Sequence, residues 1–161
     1  MVDCLYSEPE TTRLGNLKNK INFMDKIPKC FYRVSVKALI LNETKDKFLI
    51  CEEDNGKWEL PGGGLDWGET PQEGVSREIG EEMGLKVLRV ASKPSFFLTS
   101  KMSGGDWAVN VLYETELENL NFTPSDECVN IKFVNKDDTK EMKVFPAIKE
   151  LAKIFNSENH Q

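Results

Sequence analysis

Glu78, Glu81 and Glu82 stand at positions i, i+3 and i+4 of a segment that reads as a short helix, so their carboxylates share one face. Like charges at this spacing repel by roughly 0.2–0.5 kcal/mol per pair even on an exposed helix. Three of them together suit a hard divalent cation, Mg²⁺ or Mn²⁺, for which carboxylate oxygens are natural ligands. A glycine run, Gly62-Gly63-Gly64, precedes the segment, and Arg77 adjoins the first glutamate.

Other chemistries are excluded by what the chain lacks. Its one histidine, His160, sits in a polar C-terminal stretch that reads as solvated. Ser-His-Asp and Cys-His catalysis therefore have no base, and a histidine-ligated metal has no ligand. A general base must be a carboxylate, a lysine, a tyrosine or metal-bound hydroxide. Cys4, Cys30, Cys51 and Cys128 are scattered without a C-x-x-C pair, which suits reduced thiols better than zinc or a disulfide framework. The net charge of −6 argues against a broad footprint for duplex nucleic acid, although a bound metal can reverse the local sign for an anionic small substrate. With no apolar run of membrane-spanning length and no leader pattern at the N-terminus, the expected compartment is the cytoplasm.

The elements that must position the glutamates are legible in outline. At 161 residues the chain fits one domain. Residues 31–41 read as a strand rich in β-branched and aromatic residues, and residues 47–51 as its hairpin partner. The central helix has explicit signals: Thr70-Pro71-Gln72-Glu73 is a capping box with proline at the first helical position, and Gly84 is placed to end it in the left-handed conformation. Val75, Ile79 and Met83 form its buried stripe, while Gly74 and Gly80 read as room for close packing. Strand material follows at 86–91 and 95–99, and Gly104-Gly105 turns into a long strand at 107–117. A last strand at 129–134 precedes a helix starting at Pro146, whose Ala147, Ile148, Leu151, Ala152 and Phe155 make a core-facing stripe. Leu14, Leu17, Ile21 and Met24 suggest an amphipathic helix within an N-terminal arm, residues 1–30. Such an arm would pack on its own domain or on a sister subunit, so a homodimer is one assembly to expect. Residues 31–157 form the domain and residues 158–161 a polar tail. Strands, one inserted helix, strands and a closing helix predict an α/β fold (α+β in some schemes), with a mixed β-sheet between helices.

The segment from Gly63 to Leu85 resembles the Nudix box, G-x5-E-x7-R-E-U-x-E-E-x-G-U, where U is an apolar aliphatic residue. Gly63, Glu69, Arg77, Glu78, Ile79, Glu81, Glu82, Gly84 and Leu85 fill every specified position. The preceding Trp58-Glu59-Leu60-Pro61-Gly62 is also typical of Nudix hydrolases. The resemblance implies a Nudix-like α/β/α sandwich and a divalent-metal-dependent pyrophosphohydrolase, cleaving a nucleoside diphosphate linked to another moiety. It implies that Glu78, Glu81, Glu82 and the Gly63 carbonyl hold Mg²⁺ or Mn²⁺. Arg77 then braces the carboxylates and Glu69 holds the loop or Arg77.

The general base stays open among Glu78 and Glu82 in the box and Glu127 in the loop before the last strand. Glu127 reads equally well as a solvated loop residue. Arg33, Trp58, Phe96 and Trp107 are candidate substrate contacts, since flat rings stack bases and arginine clamps phosphate. Each also reads as a core or edge residue. The expected partner is a small nucleotide-type diphosphate, without membrane or duplex nucleic acid. Two alternatives are a nucleotide-sensing Nudix domain without turnover and an RNA 5′-end pyrophosphohydrolase.

Overall fold

The computed structural model describes residues 31–102 and 104–160. The arm expected at residues 1–30, with Cys4 and Cys30, lies outside them. The elements in order are β1 (Tyr32–Leu39), β2 (Phe48–Glu52), β3 (Trp58–Glu59), α1 (Pro71–Met83), β4 (Val87–Val90), β5 (Phe96–Lys101), β6 (Trp107–Leu117), β7 (Asn130–Val134) and α2 (Pro146–Ile154), then a 3-10 turn at Ser157–His160.

Strand β6 organises the larger sheet. It pairs in parallel with β1, Tyr32 opposite Trp107 through Leu39 opposite Glu114. It also pairs antiparallel with β5 and, further along, with β4. A second, antiparallel sheet runs β3-β2-β7. The expected β1–β2 hairpin survives only at its tip, where Leu41 bridges Phe48 and Leu49 N–H donates to the Ile40 carbonyl at 2.8 Å. Beyond it the strands part, because β1 is taken up by β6 and by the loop at residues 61–65.

Period-2 alternation sorts the strand side chains onto two faces. Val36, Ala38 and Ile40 of the β1 region, with Leu49 and Cys51 of β2, pack with Val75, Ile79 and Met83 of α1. Leu39, Phe48, Ile50, Leu98 and Leu112 pack with Ala147, Ile148, Leu151 and Ala152 of α2. Mixed sheets thus lie between two helices, as the pattern of elements predicts.

Both caps of α1 form as read. Thr70 and Glu73 make the reciprocal capping box, and Gly84 takes φ 64° with its N–H on the Gly80 carbonyl. The reading of the interior glycines holds for one of them. A side chain at Gly74 would press on Val36, Glu69 and Leu65, whereas Gly80 has nothing near it.

His160 corrects the picture of a solvated tail. It is only 6% exposed, stacks on Phe155 with centroids 5.3 Å apart, and its Nδ1 meets the Glu114 carboxylate. The imidazole covers apolar rings and its Nδ1 finds a charged partner, contacts that offset the cost of an Nε2 buried with no hydrogen-bond partner among the described residues. Among the described residues no helix is long and apolar enough to cross a membrane.

Candidate active site

Residues 61–65 lie along the edge of β1. Val36 N–H donates to the Gly63 carbonyl at 2.9 Å, Ala38 N–H to Pro61 at 2.8 Å, and Leu65 N–H to Val34 at 3.2 Å. Gly62 has φ 111°, and a side chain there would collide with the Val36 carbonyl. A side chain at Gly63 would collide with the Glu78 carboxylate. The glycines therefore let the loop sit between β1 and α1, bringing backbone within reach of the glutamates.

Arg77 binds this loop to the helix. Its Nε and Nη2 donate to Glu69 at 2.9 and 3.0 Å, Nη1 donates to Glu78 at 2.8 Å and Glu81 at 3.0 Å, and Nη2 also reaches the Gly64 carbonyl at 3.0 Å. These bonds hold the Arg77 guanidinium firmly charged, Glu69 contributing most, and in return hold Glu69 below the usual carboxylate range. Glu82 points elsewhere. Its carboxylate is buried and accepts from Gly62 N–H at 2.9 Å. Burial pushes it up to about 7, against the opposing pull of the Lys37 charge.

Lys37 was not singled out from the sequence. Its side chain is 5% exposed, its Nζ pairs with Glu59 at 2.8 Å, and it also donates to the Gly62 carbonyl. The register explains its setting. Arg33, Ser35 and Lys37 alternate along one face of β1 and lie opposite Ala108, Asn110 and Leu112 of β6. Asn110 is buried and donates to Ser100 Oγ at 3.2 Å. A polar strip thus interrupts an apolar sheet face and floors a cleft of about 640 Å³. That volume is within the range of small-molecule sites.

The cleft gathers most of the expected residues: Arg33, Gly63, Glu78, Glu81, Glu82 and Glu127 all line it. Glu127 is exposed, on a loop that Ser125 ties to the end of α1 through a 2.7 Å bond to the Glu82 carbonyl. Three expected substrate contacts do not line the cleft. Trp58 and Phe96 pack against the α2-side core, and Trp107 lies edge-on to Tyr32 with centroids 6.3 Å apart. Trp58 contributes through its backbone, bonding Lys143 and Phe145 and so fixing the lip that carries the Phe145 ring, over which Lys57 sits at 5.2 Å. Glu53 also lines the cleft, raised chiefly by burial. The sequence signal for this floor was the Arg33-x-Ser35-x-Lys37 alternation, with Asn110 in β6.

The donors present fit a hard cation. They are all oxygen, from Glu78, Glu81, Glu82 and the Gly63 carbonyl, and Gly63 sits so close to Glu78 that a side chain there would displace the carboxylate. Among the described residues no ready-made cage of three acidic side chains exists. Glu78 and Glu81 turn to Arg77 while Glu82 turns to Gly62.

Known proteins share this fold. A family model described as NUDIX domain matches residues 31–155. A MutT-like protein from Streptomyces ambofaciens is 46% identical over 56 residues, 35% of this chain and 36% of that protein. An RNA pyrophosphohydrolase from Francisella tularensis subsp. mediasiatica is 38% identical over 60 residues, 37% of this chain and 39% of that protein. The chain thus spans less than half the length of these curated relatives. Among solved structures, the MutT protein from Methanosarcina mazei Go1 superposes with TM-score 0.67 at 24% identity, covering 83% of this chain and 99% of that one. A UDP-X diphosphatase superposes with TM-score 0.64 at 18% identity, covering 82% and 66%. With the full box, the fold and the matched span in agreement, the chain belongs to the NUDIX domain family.

Proposed function

We propose that this protein is a Mg²⁺- or Mn²⁺-dependent pyrophosphohydrolase that cleaves the diphosphate of a small nucleotide or nucleotide-sugar derivative in the cytoplasm. One observation carries the reading. The cleft that holds Glu78, Glu81 and Glu82 is also lined by Arg33, whose guanidinium has no hydrogen-bond or ion-pair partner among the described residues. An arginine left open in a cleft suits an anionic ligand. An anion held there would face three carboxylates, an arrangement that a divalent cation reconciles.

Glu78, Glu81, Glu82 and the Gly63 carbonyl would hold the cation, which would supply charge neutralisation for the diphosphate and a more acidic water. The remaining tasks fall to the chain. Arg33 orients the diphosphate. Arg77 keeps Glu78 and Glu81 aligned, and Lys37 offsets the charge of Glu59 and Glu82. Glu82 is the buried carboxylate of the cleft and Glu127 the exposed one, and either is within the cleft lining to accept a proton.

The test is a panel of nucleoside triphosphates, nucleotide sugars, dinucleoside polyphosphates and 5′-triphosphorylated RNA, with Mg²⁺ or Mn²⁺ and products identified by mass. Cleavage of at least one class, lost with Glu78→Gln, is expected. Tight binding without turnover would replace the enzyme by a sensor. The RNA arm belongs in the panel because several relatives are named RNA pyrophosphohydrolases.

A further inference from the structure

Cys51 and Cys128 stand far apart in sequence, and the β2–β7 ladder brings them together. It pairs Cys51 with Ile131 and Glu52 with Asn130, and Val129 N–H donates to the Glu52 carbonyl at 2.8 Å. Just before that point the chain turns, with Cys128 N–H on Ser125 Oγ at 3.1 Å and Ser125 N–H on the Cys128 carbonyl at 3.0 Å. The turn places Cys128 in the same α1-side core cluster that holds Cys51. Both are free thiols, and both are buried.

Two features set this pair apart from ordinary core cysteines, which are inert. The thiols share a hydrogen bond, so their sulfurs lie close enough to react with each other. Cys51 also lines the main cleft, which gives a water-sized oxidant a route to the pair. The shared bond holds Cys128 below the ordinary thiol range and pushes Cys51 up, which makes Cys128 the better first nucleophile.

The turn that carries Cys128 is fastened to the end of α1 that carries Glu82. Ser125 Oγ donates to the Glu82 carbonyl at 2.7 Å, and Thr123 N–H to the Met83 carbonyl at 2.8 Å. Glu127, on the same turn, lines the cleft with Glu82. A sulfur–sulfur bond, about 2 Å long, is much shorter than a contact between thiols. Forming it would draw the turn toward β2 and pull on both glutamates.

We propose that Cys51 and Cys128 are a redox-sensitive dithiol, converted by hydrogen peroxide to a disulfide that weakens cation binding in the cleft. One sulfur attacks the O–O bond, becoming a sulfenic acid, and the first water leaves with the thiol proton. The second sulfur displaces hydroxide from that sulfenic acid, forming the S–S bond, and its proton completes a second water. The dithiol thus loses two electrons and the peroxide gains them. Exchange with a small dithiol restores both thiols. The effect on the cation rests on the proposed metal site; the disulfide does not.

The test uses the full chain with Cys4→Ser and Cys30→Ser, so that only this pair can react. Hydrogen peroxide should remove two hydrogens from the intact mass, and peptide mapping should join Cys51 to Cys128. Mn²⁺ affinity, read by electron paramagnetic resonance, should fall about tenfold, the low end for disturbing a group that orients a ligand, and recover with dithiothreitol. Cys51→Ala and Cys128→Ala should each abolish both responses, with melting curves checking that they fold. If either does not fold, the mapped disulfide and its reversal in the parent chain decide. Peroxide that leaves both thiols free, or a disulfide with unaltered Mn²⁺ affinity, would overturn the inference. A reduced chain that binds no Mn²⁺ would instead sink the hydrolase reading, with the disulfide still decided by mass.

Discussion

Lys37 and Glu59 form an ion pair at 2.8 Å whose lysine is almost wholly buried, and the same ammonium is bonded to the Gly62 carbonyl beside Glu82. The acidic site therefore contains a cation built from the chain itself. Removing it would leave Glu59 and Glu82 facing each other with less compensation. Lys37→Met should lower the stability of metal-free protein at pH 8 by about 3 kcal/mol, the low end for breaking a buried pair because Glu59 is partly exposed. It should also enlarge the rise in melting temperature on adding Mg²⁺. Calorimetry with and without metal checks both, and a smaller metal response in the variant would contradict this role for Lys37.

Glu82 links stability to pH. Burial raises it from 4.5 to about 7, so between those values the folded protein keeps a proton that the unfolded chain has released. In chelator, stability should fall as pH rises through that window, by on the order of 3 kcal/mol in total, and stay low above it. A divalent cation favours the ionised form, so Mg²⁺ should raise the melting temperature more at pH 8 than at pH 5.5. Glu82→Gln should flatten this part of the profile; a variant with the wild-type slope would assign it to other groups.

Arg77 presents a fork to Glu69, a bond each to Glu78 and Glu81, and one to the Gly64 carbonyl. A lysine keeps the charge but cannot span those acceptors. Arg77→Lys should cost about 10- to 100-fold in kcat/KM or metal affinity, as loss of a ligand-orienting group typically does. Titration of Mn²⁺ by electron paramagnetic resonance separates the two. Unchanged affinity and rate would show that the network is dispensable.

The end of the chain should matter for folding. His160 fills a slot between Phe96, Phe155 and Glu114. His160→Ala should cost about 2 kcal/mol through lost ring contacts and an unpartnered carboxylate. At this chain length that lowers the melting temperature by roughly 4–8 °C. An unaltered melting curve would restore the solvated tail.

What the sequence made legible was local. Thr70, Glu73 and Gly84 declare the ends of α1 within a few residues of chain, and the stripe from Ala147 to Phe155 declares α2. The Nudix box declares the glutamates and Arg77 together. The cleft floor is not local. Lys37 reads as one charge in an apolar strand until β6 is laid beside β1, when it joins Arg33, Ser35 and Asn110 on one face. The aromatic candidates failed for the same reason. Residue type says that Trp58, Phe96 and Trp107 can stack, but strand register decides that they pack on the core or a sheet edge, while Trp67 stands free in a loop. His160 likewise needed Phe155 and Glu114 in place before its burial made sense.

The parallel pairing of β1 with β6 also dictates when the cleft can come into being during synthesis. β1 leaves the ribosome before the other described strands, yet its ladder partner is the sixth of them, so its largest set of hydrogen bonds waits until Leu117 has emerged. Helix α1, with its own caps, can form earlier. The loop at residues 61–65 lies along β1, and the cleft floor needs Asn110 opposite Ser35. Contacts so distant in the chain form late. A nascent chain stalled before β6 carries the whole acidic motif and has no cleft, so interrupted translation should release fragments without activity.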